Sequence, residues 1–171
     1  TKTARYLLLE EKSYRGTIQL GTATDTLDRT GETIADAQVP PLDPDRLATL
    51  AQGFTGPQTQ VPPMYSALKR DGVPLYKLAR RGIEVERPAR AICIHALDLW
   101  ARGDGQIDFE VRCTKGTYVR VLAADIATAL GTVGHLSVLR RTAVGSFPVE
   151  DARPIDDLRE GEGNLPLLGV R

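Results

Sequence analysis

The sequence predicts a mixed α/β (α+β) fold, and three observations carry that reading. First, a period of two gives way to a period near 3.6 at Cys113-Thr114-Lys115-Gly116-Thr117-Tyr118-Val119-Arg120, which marks a strand running into a helix. Second, the run Ala89 to Ala101 and the strand ending at Cys113 are joined by Gly103-Asp104-Gly105, the signal of an antiparallel hairpin. Third, Asp43-Pro44 opens a helix by the rule that favours Asp at the N-cap and Pro at the first helical position.

Around the switch, Ile107, Phe109, Val111 and Cys113 alternate with Asp108, Glu110 and Arg112, so one strand face is buried and one is wet. Val119, Leu122, Ala123, Ile126 and Leu130 then recur on one helix face, with Thr117 as the expected N-cap and Gly131 as the C-terminal cap. The first turn of a helix leaves backbone N–H groups unpaired and carries the positive end of its dipole. Tyr118, Arg120 and Lys115 converge there, which suits a stacked base with its phosphate. A half-buried ring beside a surface ion pair has the same spacing, and the residues leave both readings open.

At 171 residues and 42% hydrophobic content, the chain suits one domain with a sizeable core. Its formal net charge is zero, but Lys plus Arg against Asp plus Glu stands at 6 to 8 in residues 1–60, 13 to 8 in 61–145 and 3 to 6 in 146–171. A basic middle between acidic ends fits an electrostatic footprint for an anionic partner. Two cysteines, Cys93 and Cys113, both inside strand patterns, make no disulfide framework and point to a reducing, cytoplasmic setting. No run reaches the roughly eighteen apolar residues of a membrane span. His95 and His135 stand alone, so no metal site is expected, and the phosphate-binding and dinucleotide-binding glycine motifs are missing.

In chain order, Ala4, Leu7 and Leu8 read as the last turns of a helix already under way, which makes Thr1 an internal residue. Ser13 to Leu20 is a strand with Tyr14, Gly16, Ile18 and Leu20 on one face. A polar loop from Thr22 to Gly31 follows, in which Asp25 and Asp28, three apart, suit either acid–base chemistry or turn capping. Leu47, Leu50 and Ala51 face inward from the helix opened by Asp43. Glycines and prolines keep residues 53–63 irregular, and Tyr65 to Lys69 resumes as a strand. Asp71-Gly72 turns into a short helix from Pro74 to Gly82. Extended chain runs from Ser137 to Phe147, where adjacent Arg140 and Arg141 must point to opposite faces. A last helix starts at Asp151 and runs to Leu158, before a glycine-rich tail.

Several segments, taken in order, resemble the bacterial tRNA pseudouridine-55 synthase family, the TruB type. They are Thr1-Lys2, Lys12-Ser13-Tyr14, Leu20-Gly21 with Thr24-Asp25-Thr26 and Asp28-Arg29-Thr30-Gly31, Val61-Pro62-Pro63-Met64-Tyr65-Ser66-Ala67-Leu68-Lys69, Cys113 through Arg120, and Gly134-His135-Leu136 through Leu139-Arg140-Arg141 to Val144-Gly145. The resemblance implies a pseudouridine synthase fold, a largely antiparallel sheet with flanking helices, spanning 1–171 as one catalytic domain. It implies isomerisation of uridine 55 in the T-loop of tRNA by base flipping, with no cofactor, no required protein partner and the tRNA T-stem-loop as substrate. By position, Tyr14 packs on the target base, Tyr118 and Leu139 line its pocket, and Asp28 and Arg120 belong to an ionic network around the catalytic carboxylate. Lys69, Lys115, Arg140 and Arg141 are candidate RNA contacts.

The family's catalytic aspartate lies in a Gly-Thr-Leu-Asp-Pro-Leu-Ala type motif upstream of the position matched by Thr1, and that motif does not occur in this sequence. Thr24-Asp25-Thr26-Leu27-Asp28 echoes it, but Arg29 stands where its Pro belongs. The resemblance therefore implies that the nucleophile is not among these residues, that the chain alone is inactive, and that a C-terminal RNA-binding extension is absent. Arg120 is expected to hold the incoming aspartate in a bidentate pair. A non-catalytic RNA-binding module and a synthase working in a guide-RNA particle are the alternatives.

Overall fold

The alternation of Ile107, Phe109, Val111 and Cys113 becomes the centre of a six-stranded sheet in a computed structural model, which describes residues 11–154 and Asp156. In chain order the elements are β1 (Lys12–Leu20), β2 (Thr22–Thr24), β3 (Thr33–Asp36), α1 (Pro44–Phe54), β4 (Gly56–Gln60), β5 (Lys69–Arg70), β6 (Val73–Pro74), α2 (Leu75–Ala79), β7 (Arg90–Gly103), β8 (Gln106–Cys113), α3 (Val119–Ala129), β9 (Gly134–Val144), β10 (Phe147–Pro148) and a 3-10 turn, Val149–Asp151. The sheet order is β10-β9-β1-β8-β7-β4, with every neighbouring pair antiparallel. The expected mixed α/β fold with a largely antiparallel sheet is what these residues build.

One sheet face is the core face. Ile18 and Leu20 of β1, Ile107, Phe109 and Val111 of β8, and Ile92, Ile94 and Leu97 of β7 pack against Leu47 and Ala51 of α1 and Leu122, Ala123 and Ile126 of α3. Each large apolar side chain buried this way contributes about 1.5–3 kcal/mol. The helices are well terminated. Asp43 accepts the Arg46 N–H at 3.0 Å with Pro44 in the first turn, and Gly131, at φ 85°, follows the end of α3. Arg46 also donates to the Leu130 carbonyl at 2.9 Å, so the first helix caps the last turn of the third.

Several expectations need correction. The stretch 53–63 is not all irregular: Gly56–Gln60 is β4, an edge strand on β7, and an edge position tolerates Pro57, which has no N–H to donate. Tyr65 to Ala67 is a series of bends, and only Lys69–Arg70 pairs, with Val73–Pro74 across the Asp71-Gly72 turn. The apolar pattern of β7 changes step because His95 is an extra residue: Ile94 pairs with Cys113 and Ala96 with Arg112, a bulge that moves the inward face from Ile92 and Ile94 to Leu97. Asp151 ends a single 3-10 turn instead of opening a helix, and Ala152 to Pro154 are not helical. The helix remnant at Ala4 to Leu8, the rest of the last helix beyond Asp156 and the glycine tail lie outside the described residues.

Gly16 sits where β1 is squeezed between its two neighbours. A Cβ there would lie 2.5 Å from the Val138 carbonyl oxygen and 2.6 Å from Cζ of Phe109. Neither a backbone oxygen nor a buried ring can step aside cheaply. Gly16→Ala is therefore expected to lower stability by about 1–3 kcal/mol, read as a reduced urea midpoint with an unchanged slope.

Candidate active site

The loop between β2 and β3 is folded around its own side chains. Asp25 accepts the Glu32 N–H at 2.9 Å and the Tyr65 hydroxyl at 3.0 Å, so it builds a turn and fixes a neighbouring segment. A Cβ on Gly31 would stand 2.3 Å from an Asp25 oxygen and 2.4 Å from the Thr26 hydroxyl, so the loop closes only on glycine. The loop is pinned to β9, since Arg29 donates to the Leu136 carbonyl at 3.0 Å and Leu136 donates to the Leu27 carbonyl at 3.0 Å.

Asp28 sits at the centre of this loop with both oxygens engaged. One accepts the Thr30 N–H at 3.0 Å, the Thr30 hydroxyl at 2.6 Å and the Thr26 hydroxyl at 2.9 Å; the other accepts Arg120 Nη1 at 3.1 Å. Burial opposes ionisation here, but the Thr30, Thr26 and Arg120 donors together outweigh it and hold Asp28 below the usual carboxylate range. Arg120 donates its second terminal nitrogen to the Tyr65 carbonyl. The guanidinium fork is therefore divided between one carboxylate and one carbonyl. It joins the 25–31 loop, the 62–68 segment and the start of α3.

The start of α3 is set differently from the expectation. Tyr118, not Thr117, is the N-cap, and it makes no side-chain cap bond. The Thr117 hydroxyl instead donates to the Thr114 carbonyl at 2.9 Å across a turn made by Gly116 at φ 83°. Gln60, only 6% exposed, closes its amide on the Tyr118 backbone, accepting its N–H at 2.8 Å and donating to its carbonyl at 3.2 Å. That pair of bonds fixes where Arg120 emerges. Lys115 is exposed on the preceding turn.

Two clefts meet at Asp28 and Thr30. The larger, about 450 Å³, is also lined by Asp25, Glu32, Tyr65, Tyr76 and Arg120; the smaller, about 340 Å³, runs along Arg29, Leu136, Val138 and Leu139. The structure thus brings Asp28 together with Arg120 on one side and with Leu139 on the other. Tyr14 and Tyr118 line neither of these two clefts. Tyr14 lies on the core face of β1 between Val111 and Arg141, half-buried, with Arg141 hydrogen-bonded to its hydroxyl; burial pushes its phenol up. Arg140 pairs in register with Arg15 on the opposite face, where Arg15 donates to Glu110 at 2.7 Å, so only Arg141 shares the Tyr14 face. Lys69 is exposed in β5. Tyr65, Gln60, Thr26 and Thr30 complete the arrangement and escaped the sequence reading; a buried glutamine on an edge strand carries no periodicity that would single it out. Among the described residues, no three His, Cys, Asp or Glu side chains are grouped to hold a metal ion, and no helix is long and apolar enough to cross a membrane.

The model of the TruB family pseudouridylate synthase N-terminal domain matches residues 1–119, and that of the tRNA pseudouridylate synthase B C-terminal domain matches residues 120–162. This chain belongs to the TruB family. It is 52% identical over 167 residues to tRNA pseudouridine synthase B of Psychrobacter cryohalolentis, covering 98% of this chain and 45% of the relative. Against the synthase of the same name from Nitrosococcus oceani the identity is 47% over 170 residues, covering 99% and 55%. The chain spans about half the length of the curated relatives it matches. Its fold is shared with a chain in the crystal structure of a Cbf5-Nop10-Gar1 complex, with a TM-score of 0.61 at 24% identity, covering 86% of this chain and 34% of that one. The division between the two TruB family models falls at the start of α3, yet β9 from the second part lies between β1 and β10 in the same sheet.

The geometry of Asp28 fixes a pH dependence. A carboxylate whose pKa is lowered on folding contributes stability that is present above the unfolded pKa and lost as pH falls through the folded one. Asp28→Asn should therefore cost about 1.5–3 kcal/mol at neutral pH and flatten the loss of stability below about pH 4, both measured by urea unfolding as a function of pH.

Proposed function

We propose that this chain forms part of the catalytic core of a tRNA pseudouridine synthase that isomerises uridine 55 of the T-loop, in the cytoplasm and without a cofactor. The observation that carries the reading is the Asp28–Arg120 pair at 3.1 Å where two clefts meet, one of them walled by Leu139. The isomerisation breaks the N1–C1′ bond of uridine, forms a C5–C1′ bond, releases the C5 proton and leaves a proton on N1. A base that undergoes it must leave its stack and be held by stacking and edge contacts. Leu139, 44% exposed, offers an apolar wall for the extruded nucleotide, and Arg120 supplies a fixed cation beside it. Tyr14, restrained by Arg141, is the ring assigned to the base itself.

In this reading Asp28 is a supporting group and not the nucleophile. Its two oxygens already take four donors, so attack on a sugar carbon would first require that network to be dismantled. Asp25 is likewise committed to Glu32 and Tyr65. The resemblance assigns the nucleophilic carboxylate to the Gly-Thr-Leu-Asp-Pro-Leu-Ala type motif, which does not occur in this sequence, with Arg120 as the cation that orients it. The likeness to the chain from the Cbf5-Nop10-Gar1 complex, at 24% identity, bears on fold alone and does not favour a guide-RNA particle.

Two variants of the enzyme carrying this segment test the assignment. Arg120→Lys keeps the charge but cannot donate to Asp28 and to the Tyr65 carbonyl together, so single-turnover tritium release from labelled tRNA should fall by more than about tenfold while tRNA affinity and its salt dependence stay near normal. A normal rate with weaker, less salt-sensitive binding would make Arg120 a phosphate contact instead. Tyr14→Phe should slow the chemical step and leave filter binding unchanged, whereas Tyr14→Ala should also lose about 1–3 kcal/mol of binding. Equal affinity losses in the two variants would remove the stacking role.

A further inference from the structure

The start of α3 lacks the usual device for fixing a helix end. Tyr118 is its N-cap, extended at φ −93° and ψ 102°, and makes no side-chain cap bond. Gln60, the last residue of β4, takes over that task by closing its amide on the Tyr118 backbone, accepting the N–H at 2.8 Å and donating to the carbonyl at 3.2 Å. The same carbonyl also accepts the Val121 and Leu122 N–H groups, each at 3.1 Å, so the Gln60 bonds join the helix's own hydrogen bonds to the sheet edge. An amide that is only 6% exposed is tolerated where its oxygen and its nitrogen are both paired, and here both are spent on one residue's backbone. The strand that carries it is itself held, since β4 pairs with β7 from Gly56 on Ile94 to Gln60 on Arg90. Arg120 leaves the same first turn and meets Asp28 at 3.1 Å.

We propose that Gln60 is a positioning residue for the isomerisation, acting through the Tyr118 backbone to aim the Arg120 guanidinium at Asp28. That role rests on the proposed function above and deepens it, because it names what sets the direction of the cation in the cleft. The direction of a helical side chain follows the backbone of its own turn, so a rotation of Tyr118 swings Arg120. A displacement of about 1 Å near a reacting centre costs on the order of a hundredfold in rate. The amide is specific to this task. Gln60→Glu keeps an acceptor for the Tyr118 N–H but turns an oxygen on the Tyr118 carbonyl, and Gln60→Asn keeps the amide but stops one methylene short.

The test is single-turnover tritium release from labelled tRNA at saturating concentration, in the enzyme carrying this segment, with urea unfolding to establish that each variant is folded. Gln60→Glu and Gln60→Asn should each slow release by about tenfold or more while filter binding of tRNA stays near the parent's. In an Arg120→Lys background the same changes should cost little further, because the side chain they aim has already lost its fork. Arg46→Gln removes the 2.9 Å bond to the Leu130 carbonyl at the far end of the same helix and should leave the rate at the parent's value. A folded Gln60 variant with the parent's rate would overturn the positioning role, as would losses that multiply with that of Arg120→Lys, or an Arg46→Gln variant slowed as far as the Gln60 variants. Loss of the folded state in both Gln60 variants would overturn it too, by making the amide a folding contact alone. A parent enzyme that releases no tritium would instead overturn the proposed function on which the role rests.

Discussion

One guanidinium holds together three pieces of chain that have little else in common. Arg120 leaves the first turn of α3, meets Asp28 from the 25–31 loop and reaches the Tyr65 carbonyl of the 62–68 segment. Both members of the ion pair are three-quarters or more withdrawn from solvent, at 21% and 25% side-chain exposure. Removing either would leave the other charge poorly solvated and unpaired, which is far costlier than the pair's own net contribution. The three threonine donors around Asp28 make the arrangement one-sided, since they favour the ionised carboxylate before Arg120 is counted. The Gln60 amide on Tyr118 and the Leu27 and Arg29 bonds to Leu136 then anchor the two ends of the pair to the sheet.

The sheet makes that anchoring possible. β1 runs through its middle with β9 on one side and β8 on the other, so Tyr14 and Leu139 come from strands that pair directly. Because β9 is matched by the second TruB family model and β1 by the first, neither matched part contains a complete sheet. The Asp28 loop likewise belongs to the first part while Arg120 and Leu136 belong to the second. The ion pair is thus a contact across the division that the family models draw.

Regular strands and capped helices were legible because their signals are local. Ile107 through Cys113 and Val119 through Leu130 announce their faces by period, and Asp43-Pro44 and Gly131 announce their ends by backbone geometry. The features that escaped are those decided by partners distant in sequence. Thr117 has the right side chain for an N-cap, but Gln60, nearly sixty residues earlier, takes the position by binding the Tyr118 backbone. Gly56-Pro57 reads as a breaker, yet β7 offers one free edge on which a proline costs nothing. Resemblance supplied the Asp28–Arg120 association that no spacing rule connects across ninety residues. It could not show that the Arg120 fork is shared with a carbonyl.

The proposed function requires Asp28 and Arg120 to act as one unit in the chemical step. A double-mutant cycle on Asp28→Asn and Arg120→Gln, read as single-turnover tritium release in the enzyme carrying this segment, tests it most directly. Each single variant should lose most of the rate and the double variant should be scarcely slower than either, the mark of residues working through one interaction. Losses that multiplied, with the double variant slowed by the product of the two single effects, would show two independent roles and rule out the joint one.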